Sequence, residues 1–476
     1  MSTDHPISSD RGLKLPQTVT IISFFLLFPG FLFYHQFVAM GLIPAFAAGL
    51  FGYVSLGTII ILLVLLPWNT GLLKKIAGNR YVQWVLIFLF YTSAWTIAHY
   101  LVLGGDYITK ATVQSLETVI FWTCLFLVGL LLPIEARSLR WLLGISFAVI
   151  LGYLLYFFAV SDSGTYYARR IYGQTEDVST YQGFARSVLF TLLLLLAVFK
   201  SLRARAVLML GGVFVLYMLI SRSDFYGFLA ACIVLCVISG IRQPKYFLLL
   251  LLISLEVVLL AVPDIAPRIG IFLEPRTPET TVQAPASDRL PAGNDSEQAP
   301  GLPAPTTPAP SADRAESLPP PGKAEAPPRL SRQFEVLNIS SSKSWRGRLA
   351  LQKKALGQIA QNPLLGKFGG HVLTEDTVKF EKGHTGRYAH NALSAWVSYG
   401  LAGFLLYVSL TLYGCMVSAR HVILKRQDEP VWMFALTLNV VCLLLIIASK
   451  SVYWPLPALG WGVLAQALAN PAGDQG

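Results

Sequence analysis

Residues 431–449 read VWMFALTLNVVCLLLIIAS, an apolar run without one charged side chain, closed on its far side by Lys450. At the rise of an α-helix such a run extends roughly 28 Å, close to the thickness of a bilayer's hydrocarbon core. Comparable runs recur outward from it, near 18–38, 45–68, 81–103, 118–134, 142–160, 187–202, 206–221, 225–240, 246–263, 392–418 and 454–469. With 54% hydrophobic and only 13% charged residues, and a mean hydropathy of +0.57, the 476-residue chain carries too much apolar surface for water-soluble cores. The predicted fold class is all-α: a polytopic transmembrane bundle of about twelve spans with an outward helical loop. The start, 1–16, is polar and contains proline, and a second apolar run follows the first at once, so no cleaved signal peptide is expected.

All five cysteines, Cys124, Cys232, Cys236, Cys415 and Cys442, lie inside apolar runs, which predicts neither a disulfide framework nor a metal site. The net charge of +11 would suggest a nucleic-acid partner in a soluble protein. Its distribution argues against one. Alternate connections hold Arg11 and Lys14; Lys74, Lys75 and Arg80; Arg137 and Arg140; Lys200, Arg203 and Arg205; Arg242 and Lys245; Arg420, Lys425 and Arg426. By the positive-inside rule these face the cytoplasm, and both termini with them. The other short connections carry Lys110, Arg169, Arg170, Arg186, Arg222 and Lys450, which that rule does not explain. Binding an anion at the outer surface is one reason for such residues, a solvated loop charge the other. Arg222 is the sharpest case, wedged in the turn Ser221-Arg222-Ser223-Asp224.

Three regions follow: 1–263 with nine spans, the large outward connection 264–391, and 392–476 with three more. Residues 275–328 hold 14 of the chain's 28 prolines among Ala, Ser, Thr and Glu, a composition that buries too little apolar area to offset its ordering entropy. This segment reads as a disordered insertion. From 341 onward order returns. Capping serines precede a helix over 345–361, with Leu349, Leu356 and Ile359 at roughly helical spacing and Asn362-Pro363 as its stop.

After that helix come the turn-rich Pro363-Leu364-Leu365-Gly366-Lys367-Phe368-Gly369-Gly370 and then Arg387-Tyr388-Ala389-His390-Asn391 at the mouth of the tenth span. An imidazole at the water–lipid boundary, with a pKa near 6.5, can accept a proton at neutral pH. Asn391 either orients a substrate or caps the helix. Within the span, Gly400 and Gly403 form a Gly-x-x-Gly step.

An Arg-led outward helix, then Asn-Pro-Leu-Leu-Gly, then His-Asn and Gly-x-x-Gly, with Ser221-Arg222-Ser223 opening an earlier span, resembles the signature region of the O-antigen ligase and polymerase superfamily. The likeness covers the topology of the whole chain and, in specific motifs, about 220–224 and 346–403. It implies a bacterial inner-membrane enzyme whose active site faces the periplasm. Such an enzyme moves a glycan from undecaprenyl diphosphate to an acceptor glycan or to lipid A-core. It further implies His390 as general base and Arg222 with Arg348 on the diphosphate, Arg346 competing with Arg348 for that role.

The chemistry agrees. Leaving diphosphate gathers negative charge, and a guanidinium presents paired donors to phosphate oxygens. No Asp-x-Asp pair lies near an outward loop, so arginines without metal or other cofactor are the simpler reading. Arg169, Arg170 and Arg186, near the outer mouth of the sixth span, either extend a basic funnel or bind lipid headgroups. Glu256, inside the ninth span, is expected to be protonated or paired, and His99 and Asn439 to make structural hydrogen bonds. Ligase and polymerase readings stay open. A lipid-linked oligosaccharide flippase is the alternative from another class, though it would need charge along its whole path. A protein O-oligosaccharyltransferase would share the site and differ in acceptor.

Overall fold

The computed structural model describes residues 15–39, 42–44, 49–65, 78–160, 180–219, 221–269, 343–369 and 389–469. The expected disordered insertion at 275–328, Arg169 and Arg170 lie outside the described residues. Among the described residues every regular element is helical: α1 (Leu15–Leu27), α2 (Pro29–Ala39), α3 (Gly49–Leu65), α4 (Arg80–Leu103), α5 (Asp106–Leu131), α6 (Arg137–Val160), α7 (Thr180–Val198), α8 (Leu202–Met218), α9 (Arg222–Arg242), α10 (Lys245–Ile269), α11 (Lys343–Gln361), α12 (Leu393–Ala419), α13 (Pro430–Ala448) and α14 (Pro457–Ala469).

Each apolar run of the sequence contains a helix, with shifted bounds. Among the described residues six helices are long and apolar enough to cross a membrane: Arg80–Leu103, Ile108–Leu131, Arg137–Tyr156, Arg222–Arg242, Leu393–Leu424 and Pro430–Ala448. The first run is broken rather than continuous, because α1 and α2 meet at 51°. Pro29 brings no N–H to continue the ladder, and Phe28 ends α1 by donating to Phe24 O (3.1 Å). Counting that bent pair as one gives seven. α5 starts a dozen residues before the apolar run at 118, since Gly104 and Gly105, both at positive φ, stop α4 and restart the chain as helix at Asp106. Local capping follows ordinary chemistry elsewhere: Asn79 Oδ1 accepts from Tyr81 N (3.0 Å) and Val82 N (3.4 Å), and Pro430 opens α13 behind Glu429.

The core sits around α5, α7, α9, α13 and α14, where Trp122, Trp432, Trp461, Phe190 and Phe228 are fully buried. α5 and α14 cross at closest range. A Cβ on Gly129 or on Gly462 would collide with the partner helix's backbone, the small-residue approach that membrane helices favour. Leucine-rich faces of α4, α6 and α10 stay exposed, among them Phe90, Leu101, Ile145, Leu251 and Leu259, as surfaces that lipid would cover.

Direction matters for the site. α9 runs from Ser221 at one end of the bundle to Arg242 at the other, where the Arg242 guanidinium donates to Val422 O (3.2 Å) just past α12. Arg205 sits at that same end, donating to Phe199 O (2.8 Å) and lying 5.9 Å above the Tyr246 ring. α13 returns to the first end. α14 is only 13 residues long, roughly 20 Å, shorter than a crossing. The non-helical stretch 449–456 makes up the difference and is buried through Ser449, Lys450, Ser451, Val452, Trp454 and Leu456. Irregular backbone within an apolar bundle is tolerated where protein satisfies its polar groups.

Candidate functional site

Helix α11 packs at the start of α12 through Ala355 and Ile359, which meet Ala389 and Val397. Of the three residues that the sequence sets at helical spacing, Ile359 packs, while Leu349 and Leu356 are exposed. The reason is phase. Ala355 and Ile359 are one turn apart, and Arg348 lies two turns before Ala355, so the guanidinium shares the packed stripe while the leucines sit beside it.

Beyond α11 the Asn-Pro-Leu-Leu-Gly turn fits into a break in α12. Gly400 has φ 69° and ψ −176°, a conformation essentially reserved for glycine, and it splits the helix. That break leaves carbonyls without their usual donors, and each is taken from outside the helix. Lys367 N donates to Val397 O (2.7 Å), Trp95 Nε1 to Ser398 O (3.0 Å) and Tyr91 Oη to Tyr399 O (2.8 Å). In return Leu401 N donates to Leu364 O (3.0 Å), and Trp396 Nε1 to Pro363 O (2.6 Å). Gly366, itself at φ 65°, has the α12 backbone where a Cβ would go. Gly366 and Gly400 therefore lock the 363–367 turn into the break in α12, ten residues past His390.

The stretch 449–456 hangs from the same helix. Ser394 Oγ donates to Asn391 O (2.7 Å) and accepts from Val452 N (2.7 Å), and Ser398 shares a hydrogen bond with the Tyr453 hydroxyl (2.9 Å). These ties bring Lys450 to the mouth of α12. Its ammonium lies 3.6 Å from Asp224 Oδ2, with side chains 9% and 0% exposed, and 5.9 Å from the Trp454 ring centroid. Asp224 sits in the first turn of α9, where Ser221 Oγ donates to its Oδ2. Its Oδ1 is buried without a hydrogen-bond partner among the described residues.

Charge converges here. The Arg186 and Arg348 guanidiniums and the Asp224 carboxylate all act on the Lys450 ammonium. Burial, then Arg348, then Lys450 hold the half-buried His390 imidazole down to about 4. The ring is therefore neutral at pH 7.

Of the residues expected from the sequence, His390, Arg348 and Arg186 come together around Lys450. Arg222 is half-buried in the same first turn of α9 as Asp224, but the cations that act on His390 are Arg348 and Lys450. Arg346 belongs to α11, its side chain outside the described residues, and its backbone lies about 200° around the helix from Arg348. Asn391 caps: its Oδ1 accepts from Leu393 N (3.1 Å). His99 and Asn439 make the structural hydrogen bonds expected of them, to Trp95 O (2.9 Å) and Ala435 O (2.7 Å). Glu256 Oε2 is buried with no hydrogen-bond partner among the described residues. Sequence reasoning missed Lys450 and Asp224 as site residues. The signal was present in both, a lysine directly closing the most apolar run and an acid in the Ser-Arg-Ser-Asp turn, but their pairing spans more than two hundred residues.

No family model matches the chain, no curated protein matches it, and no solved structure matches it. Fold and site define the class at the level of architecture: a helical protein with several helices of membrane-crossing length, which carries a buried cluster of charge at one end of its bundle.

Proposed function

We propose that this protein is a twelve-span inner-membrane glycosyltransferase of the O-antigen ligase type. It moves a glycan from undecaprenyl diphosphate to a sugar hydroxyl of lipid A-core on the periplasmic face. The observation that carries the reading is half-buried His390 under the charge of both Arg348 and Lys450, with Lys450 paired to Asp224, at one end of an apolar bundle. Glycosyl transfer needs that pairing of groups. His390 removes the proton from the acceptor hydroxyl, whose oxygen forms a bond to the anomeric carbon as the bond from that carbon to the diphosphate oxygen breaks. Arg348 and Arg222 hold the departing diphosphate, the guanidinium fork matching its oxygens. The convergence of His390, Arg348, Arg186, Lys450 and Asp224 at one end of the bundle favours chemistry at a membrane surface over a flippase, whose path needs polar groups along its depth.

The lipopolysaccharide of a deletion strain tests the reading. Loss of all long bands with lipid-linked polymer retained is the expected result. A single repeat on the core would assign the same chemistry to a polymerase, and an unchanged ladder would overturn both.

A further inference from the structure

Lys450 is the group that joins the two halves of the charge cluster. It pairs with Asp224 on α9, and it acts on His390 beside α12. A lysine buried to this degree carries a desolvation cost, and one carboxylate at 3.6 Å offsets only part of it. Asp224 is itself held by the Ser221 hydroxyl and keeps one oxygen without a hydrogen-bond partner among the described residues. Such a pair is poorly explained as a stabilising contact alone, since apolar side chains of like volume serve stability as well or better. The location explains it. Arg348 and Arg186 approach the same ammonium, and cations that converge in a buried place are favoured by an incoming anion. Among the described residues Arg348 and His390 are only half-buried, in contrast to Lys450 and Asp224.

We infer that Lys450, held in place by Asp224, is a further binding residue for a lipid-linked diphosphate, and that the anion takes the lysine over from the carboxylate as it enters. This rests on the donor class proposed above and adds to it a residue outside the Arg and His set. Asp224 then acts as a positioning residue. It keeps the ammonium charged and pointed inward while the site is empty, and competes with phosphate when the site is filled.

Binding of farnesyl diphosphate to the purified full-length protein in detergent tests this, with inorganic pyrophosphate and phosphatidylglycerol as competitors. Lys450→Met should weaken farnesyl diphosphate binding roughly ten- to a hundredfold, the loss expected for one charge-assisted contact. Asp224→Asn should bind as tightly as the wild type or more tightly. Because Lys450→Met strands a buried carboxylate, the double variant Asp224→Asn with Lys450→Met is decisive: it should regain thermal stability while binding stays weak. Wild-type affinity in Lys450→Met, or affinity restored in the double variant, would make the pair structural and overturn the inference. Phosphatidylglycerol competing as well as farnesyl diphosphate would equally remove the assignment to the lipid donor. Intact diphosphate binding in a protein that transfers no glycan would sink the transferase reading and leave this site standing.

Discussion

At the scale of single residues, the account turns on what surrounds His390. A histidine at a helix mouth is visible in the sequence, and so is the helix that carries Arg348. Their proximity was legible only through the motif. Lys450 was legible as an odd outward base but not as a neighbour, because its place depends on Ser394 and Ser398 tethering a distant non-helical stretch. The electrostatics yield a pH prediction. With the imidazole held down to about 4, it is neutral above that pH and protonated below it, so the acid limb of kcat/KM should lie near pH 4 rather than near 6.5. Arg348→Gln removes one of the cations that depress it. The limb should therefore move to higher pH, on top of the loss in donor affinity. In the donor complex the diphosphate offsets the same cations, so the limb of kcat should lie above that of kcat/KM. A pH profile with no displacement in Arg348→Gln would show that His390 does not titrate under that charge.

At the scale of elements, the broken α12 is the feature the sequence signalled without explaining. Gly400 and Gly403 stand out as a Gly-x-x-Gly step, yet the pattern alone does not reveal that Gly400 splits the helix or that 363–367 fills the gap. Helical periodicity located α11 within two residues and picked out Ile359 but not Ala355, since Ala355 contributes little to a hydrophobic pattern and much to a close approach. The lock has measurable consequences. Gly400→Ala forces an alanine into a glycine-only conformation and against Leu364 O, a cost of about 1–3 kcal/mol. Trp95→Phe leaves the Ser398 carbonyl without its donor, for about 1–3 kcal/mol. Both should lower the melting temperature in detergent and reduce transfer, although neither residue is among the charges that act on His390. Unchanged melting in both would mean that the break is not held by these bonds.

At the scale of the whole molecule, the apolar runs located the helices. What they concealed was length. Pro29 breaks the first run, Gly104 and Gly105 start α5 early, and α14 is too short to cross, so its partner stretch 449–456 brings Lys450 into the bundle. The two ends of α9 separate Asp224 and Lys450 from Arg242 and Arg205; the sequence expectation that these ends face opposite sides of a membrane is testable. Reporter fusions at Lys74 and Gly383 should accordingly report opposite sides of the membrane, and the same side for both would undo the topology. The central claim, that this bundle is a transferase with His390 as its base, is tested most directly by glycan transfer with purified protein, a lipid-linked glycan and an acceptor, in EDTA. The account predicts full wild-type activity in the chelator, and in His390→Ala a fall of roughly 10²–10⁴-fold with donor binding retained. A wild-type rate in His390→Ala, or abolition of wild-type activity by EDTA alone, would contradict it.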